Sequence, residues 1–258
     1  MSGRVHPSAI IDPGASLGRD VEIGPFAIIG PSVIIGDGCR IEARATLERN
    51  VRLGSGVSVG IGTVLGGEPQ DLKFGGEETW VEIGEGTRIR EYCTINRGTK
   101  ASGSTTIGPG SFVMSYVHLA HDCHVGAGVI IANGTQLAGH VTVHDRAILS
   151  GLVAVHQFVN IGSMAFIGGC SRVNQDIPPY VKAVGNPVEL YGLNTVGLRR
   201  ASYPPETVSA LKRAYRLFFN SDLNLSQAQE RARQELPSLP EVDLLLEFVA
   251  SSSRGIPA

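Results

Sequence analysis

An aliphatic residue recurs at every sixth position over most of this chain, and few backbones accept such a period. Val, Ile or Leu stands at positions 5, 11, 17 and onward to 65, returns at 83, 89 and 95, and then runs unbroken from Ile107 to Val173. Runs such as Ile23-Gly-Pro-Phe-Ala-Ile and Ile35-Gly-Asp-Gly-Cys-Arg share that frame. Six-residue self-similarity marks a parallel β-helix. A short strand points its aliphatic residue inward, a tight turn follows, and three such faces close one coil of roughly eighteen residues stacked at strand spacing. Each coil bonds its backbone to the next and buries its aliphatic positions in a continuous stack. The corners need positive φ, which accounts for the 33 glycines.

A chain of 258 residues suits such an array, because each unit packs only on its neighbours. A net charge of −2 points away from a nucleic-acid surface. The absence of a long apolar run, and a start of Met-Ser-Gly-Arg-Val-His-Pro, read as a soluble cytoplasmic protein without an integral membrane segment. Cys39, Cys93, Cys123 and Cys170 show no paired metal-ligand spacing and read as small reduced core or face residues.

Two polar, Gly-rich stretches interrupt the period, near 66–80 and 97–106, and read as excursions from the coil. After Asp176 the period fails at Ile177-Pro-Pro-Tyr. The β-helix is therefore expected over 1–190 and a small helical domain over 191–258. Val208, Leu211, Tyr215, Leu217 and Phe218 recur at helical spacing, Ser226 suits the N-cap of a second helix, and Ser238-Leu-Pro-Glu suits the start of a third. This end caps the last coil. The tail from Ser251 to Ala258 is expected to fray.

Six of the seven histidines lie between 118 and 156. In the repeat frame, hexads starting at Leu119, Leu137 and Val155 stack on one face, which carries His121, His140 and His156. His118 and His124 are expected at the corners bounding that face, with His144 opening the next. His121, Gly139 and Gln157 should form one column. Glycine beside an imidazole either brings substrate close to a backbone N–H that stabilises an oxyanion or serves a turn. Asp122 follows His121 and could hold its ring in one tautomer.

These strings, together with Gln70-Asp-Leu-Lys-Phe, Asn133, Gly168-Gly-Cys-Ser, Gln175-Asp-Ile-Pro-Pro-Tyr, Asn194, Gly197-Leu-Arg-Arg and Ser253-Arg-Gly, resemble the UDP-N-acetylglucosamine O-acyltransferases of lipid A biosynthesis over nearly the whole chain. The resemblance implies a left-handed parallel β-helix and a homotrimer with active sites between subunits. It implies transfer of an R-3-hydroxyacyl group from acyl carrier protein to the sugar 3-hydroxyl, without metal or other cofactor. It assigns His121 as general base, Asp122 as its orienting partner and the Gly139 amide as oxyanion donor. Asp71, Lys73, His118, His140, His156, Gln157, Asn194 and Arg200 fall to the sugar nucleotide. Gly169 lies at the far end of the acyl groove and implies a longer acyl chain. Arg199, Lys212, Arg213 and Arg216 form a basic group that either docks an acidic carrier protein or is an ordinary solvated helix face.

Asn96, Val196 and Ala201 depart from the family's usual histidine, acidic residue and arginine on the nucleotide-sugar side. A 3-amino UDP-sugar is therefore an alternative acceptor, although the intact catalytic set favours the hydroxyl. Two other classes compete. One is a metal enzyme resembling the γ-type carbonic anhydrases, which His118, His121 and His124 are too spread to serve. The other is a binding β-helix without chemistry. The N-acyltransferase of the same pathway resembles the chain less, since its extra N-terminal domain has no counterpart before the hexads that begin at Val5.

Overall fold

Each hexad sends two side chains inward. In the structure, a computed structural model that describes residues 4–257, the aliphatic residue of the frame is buried from Ile23 onward. A smaller residue two positions earlier is buried beside it, as with Ala27, Val33, Cys39, Ala45, Val141 and Ala147. Alternating bulk suits a narrow interior packed at crystal-like density.

The strands build a three-sided prism of parallel sheets. Face 1 has nine strands, from Ile10–Ile11 to Arg172–Val173. Face 2 has eight, from Ser16–Leu17 to Asn160–Ile161. Face 3 has ten, from Glu22–Ile23 to Phe166–Ile167, and ends with Val181–Val184 and an antiparallel strand, Glu189–Leu193. Register follows the coil: His118 pairs with Gln136 and Gln136 with Ala154. Both excursions leave from the edge between faces 1 and 2. One separates Val64–Gly67 from Trp80–Ile83, the other Thr94–Asn96 from Ser104–Ile107. Ser104 already pairs with Trp80, so the second excursion stops at residue 103 rather than 106.

The glycines need a second explanation. Many sit just after the inward aliphatic residue at ordinary φ, where a Cβ would strike the next coil: at Gly84 it would lie 2.5 Å from the Pro109 nitrogen. The left-handed corner position is often taken by other residues, including Asp122, His140 and Phe158 with φ of 59°, 62° and 65°.

Four helices follow the last strand: α1 Thr195–Arg200, α2 Pro205–Phe219, α3 Leu225–Glu235 and α4 Pro240–Ser251. The short α1 carried no periodic signal. Asn224, not Ser226, caps α3, because Gln227 at the third helical position returns a bond to the Asn224 backbone. The start of α4 takes Pro240 in its first turn and no side-chain cap from Ser238. The tail is not frayed through residue 257, Ala258 lying outside the described residues. Asp176 N–H donates to the Gly255 carbonyl at 2.8 Å, the Ser252 hydroxyl donates to Asp176 Oδ2 at 2.7 Å, and Pro257 is buried. Among the described residues, no helix is long and apolar enough to cross a membrane.

Leu137 is fully buried on face 1, directly beneath Leu119. Leu137→Ala is expected to cost about 2–5 kcal/mol in denaturant unfolding; a loss under about 1 kcal/mol contradicts a continuous packed stack.

Candidate active site

The edge between faces 1 and 2 concentrates the chemistry. Residues 121 and 122, 139 and 140, and 157 and 158 occupy its successive corners, tied by His140 N–H to the His121 carbonyl at 3.0 Å and Phe158 N–H to the Gly139 carbonyl at 3.2 Å. His121, Gly139 and Gln157 thus form one column and Asp122, His140 and Phe158 the adjoining one. His121 and His140 occupy the corner, whereas His118 lies in a face 1 strand and His124 in a face 2 strand, the reverse of the expected placement. His144 follows a face 2 strand and its ring meets Phe248 of α4.

Asp122 is a fully enclosed carboxylate. Its Oδ1 accepts from the Thr99 amide at 2.9 Å and from the Ser102 hydroxyl, and its Oδ2 accepts from the Thr99 hydroxyl and contacts His121 Nδ1, both at 2.8 Å. Burial pushes its pKa up, but hydrogen bonds from Ser102, His121 and Thr99 outweigh that and hold it down at about 2. An ionised carboxylate can only accept, so the His121 proton sits on Nδ1 and Nε2 carries a lone pair. His121 is therefore set as a base.

Gly139 lies under that ring. A Cβ there would sit 2.6 Å from His121 Cε1 and 2.7 Å from Nε2, so only glycine lets the imidazole occupy this place. Its N–H donates to no group among the described residues. One coil spacing thus separates a base from a free backbone donor. His140 meets the His121 ring edge-on at 5.0 Å and stacks on Phe158 at 4.4 Å. Burial lowers its pKa, while Asp122 and Asp71 pull the other way.

The neighbouring residues divide clearly. His118 stands on face 1 with its Nδ1 2.8 Å from the Thr94 hydroxyl, and burial lowers its pKa. Gln157 and His156 continue the edge downward. Asp71 and Lys73 belong to the first excursion, where Asp71 Oδ1 accepts from the Lys73 amide at 3.0 Å. Asn194, Arg200 and Gly169 are not brought to His121 within one chain. Asn194 caps α1 and donates to the Met164 carbonyl at 2.9 Å, so its side chain is committed. Arg200 lines a groove of about 580 Å³ on face 3 with Ile130, Phe166, Lys182, Val196 and Ala201. In a triangular prism, face 3 lies opposite the edge of faces 1 and 2. Gly169 turns the corner from face 3 to face 1, where a Cβ would meet the Gly151 carbonyl at 3.3 Å.

Three contributors escaped the sequence reading. Thr99 and Ser102 reach Asp122 from the second excursion. Arg97, almost wholly buried, donates Nε to the Gly66 carbonyl and lies over the Phe74 ring, pinning one excursion to the other. The hydroxyl-rich run Thr99-Lys-Ala-Ser-Gly-Ser was the available signal.

His118 and His124 bond to threonines on different faces, so the trio weighed for a metal does not converge. Possible ligand atoms of His121, Asp122 and His140 do lie within 4.8 Å of one another. His121 Nδ1 and Asp122 Oδ2 are, however, committed to each other, and Asp122 is already saturated with donors, which suits an acid–base pair better than a zinc site with freely converging donors.

Because the folded Asp122 titrates below its ordinary 3.8, its contribution is complete above that value and disappears as pH falls toward about 2. The unfolding free-energy gap between wild type and Asp122→Asn should narrow by about 2 kcal/mol across that window. A gap independent of pH there contradicts the assignment.

The family model for domain 2 of UDP-N-acetylglucosamine O-acyltransferases matches residues 176–257, and the bacterial transferase hexapeptide model matches 14–49 and 104–139. Acyl-acyl-carrier-protein–UDP-N-acetylglucosamine O-acyltransferases of Burkholderia mallei and Burkholderia thailandensis are 50% and 49% identical, over 98% of each chain. The crystal structure of a UDP-N-acetylglucosamine acyltransferase from Bacteroides fragilis superposes with a TM-score of 0.97 at 42% identity, covering 98% of this chain and 99% of that one. The Arabidopsis enzyme gives 0.89 at 37%, covering 99% and 100%. The chain thus belongs to the UDP-N-acetylglucosamine O-acyltransferases and shares their left-handed parallel β-helix.

Proposed function

We propose that the chain transfers an R-3-hydroxyacyl group from acyl carrier protein to the 3-hydroxyl of UDP-N-acetylglucosamine, the first step of lipid A biosynthesis, and that it does so in the cytoplasm as a homotrimer. The observation that carries the mechanism is the stacking of His121 on Gly139 beside the enclosed Asp122.

His121 Nε2 removes the proton from the sugar hydroxyl as its oxygen attacks the thioester carbonyl. The Gly139 N–H receives the charge that develops on the carbonyl oxygen. Asp122 stabilises the imidazolium without taking its proton. The tetrahedral intermediate collapses, the carrier's thiolate leaves, and the proton on His121 goes to it. Asp71, Lys73, His140, His156 and Gln157 hold the sugar nucleotide along the same edge, with His118 on the adjoining face 1. Gly169 leaves room for a long acyl chain, and the exposed Lys212, Arg213 and Arg216 of α2 suit an acidic carrier.

A second copy completes this site. Arg200 faces away from His121 across the prism, so its guanidinium serves the nucleotide phosphates of a neighbouring subunit. Asn194 contributes by capping the helix that carries Arg200. Exposed Phe26, Tyr92, Tyr116 and Leu152 run along the edge of faces 3 and 1 and offer an apolar seam for that neighbour.

His121→Ala should lower turnover of UDP-N-acetylglucosamine by about 10²–10⁴-fold, and Arg200→Ala should be strongly impaired as well. Co-expressed, the two variants should recover substantial activity in mixed assemblies, because some interfaces then pair an intact His121 with an intact Arg200. Activity no higher than that of the separate variants contradicts a shared site.

A further inference from the structure

The edge that carries His121 does not end at the last coil. Ile177 pairs with Ile161, two residues short of the repeat frame, so Asp176 lies beneath Asn160 on face 2; in the coils above, the N–H at this place donates to the following coil, as His124 donates to Val141 and Thr142 to Val159. Asp176 N–H donates to the Gly255 carbonyl, so the C-terminal tail takes the place of a further coil at this edge. Asp176, fully buried, clamps the tail there: its Oδ2 accepts from the Ser252 hydroxyl at 2.7 Å and the Arg254 amide at 3.3 Å, and its Oδ1 accepts from the Asn160 amide at 2.7 Å.

The clamp delivers the Arg254 side chain to His156. Arg254 Nη2 lies 3.0 Å from His156 Nδ1 and 3.5 Å from the Asn174 carbonyl, while its buried Nε has no partner. No carboxylate among the described residues pairs with this guanidinium. His156 Nδ1 also lies 3.2 Å from the Gln157 carbonyl, and the two contacts demand opposite tautomers. A guanidinium can only donate, and its bond is the shorter, so Nδ1 accepts and the ring proton belongs on Nε2. His156 is exposed, and its Nε2 bonds to no group among the described residues. A guanidinium without a carboxylate and with an orphaned Nε is poorly arranged for tail packing alone.

We propose that Arg254 is a positioning residue of the acceptor site: delivered by the Asp176 clamp, it holds His156 as an Nε2–H donor to the sugar nucleotide. This rests on the reading that His156 contacts that substrate. The C-terminal tail is then a working part of the catalytic edge, although it lies almost a hundred residues from His156 in the chain.

Steady-state kinetics of the full chain at saturating acyl carrier protein thioester test the assignment in Arg254→Met, Arg254→Lys, His156→Ala and the Arg254→Met/His156→Ala double variant. Arg254→Met is expected to raise the KM for UDP-N-acetylglucosamine about tenfold, with kcat within about twofold, the scale of one charge-assisted bond. Arg254→Lys, which keeps a charged donor, should recover most of that loss, and the double variant should be no worse than His156→Ala alone. An unchanged KM in Arg254→Met while His156→Ala raises it, or losses that multiply in the double variant, overturns the role of Arg254. An unchanged KM in His156→Ala removes His156 from the substrate, and the proposal falls with it.

Discussion

The interaction on which the rest depends is the parallel backbone ladder between successive coils. It brings residues distant in sequence into columns one strand spacing apart, and along one edge it converts a structural period into the proposed catalytic arrangement. His121 and Gly139 meet because each corner repeats the one above it. Glycine at 139 leaves the place of a Cβ to the imidazole, so base and free amide donor share one small volume. A side chain at this position would separate the two groups that the proposed acyl transfer needs together.

The ladder alone does not prepare His121 for its proposed role as base. That depends on Asp122, whose carboxylate is held in the dry corner by Thr99 and Ser102 from the excursion above. Arg97 ties this excursion to the first, so both insertions act as one lid-like support at the edge rather than as separate loops. The lower end is supported differently, by the tail clamped on Asp176. The periodic scaffold fixes the columns, while the aperiodic segments supply the hydrogen bonds that set proton positions.

Sequence alone made the columns legible, because hexad spacing is a strong local signal: His121 over Gly139 over Gln157 followed from counting. It placed His118 and His124 less well, since the frame identifies the inward residue and leaves strand and corner to finer geometry. The preference for Asn224 over Ser226 as a cap turned on one reciprocal bond from Gln227, for two residues of similar intrinsic quality. Thr99, Ser102 and Arg254 were hidden for a common reason. Their partners lie 23, 20 and 98 residues away, reached by segments whose return path carries no period. Asn194 and Arg200 lie away from His121 because one prism cannot present opposite sides to one substrate.

In the proposed mechanism His121 and Gly139 form a single catalytic unit whose geometry forbids a side chain at 139. The most direct test is kcat of Gly139→Ala with UDP-N-acetylglucosamine, measured on protein whose melting temperature matches wild type. On that mechanism kcat should fall at least about a hundredfold, as the methyl displaces the imidazole and disturbs the amide donor. A variant that keeps kcat within a few-fold of wild type contradicts it.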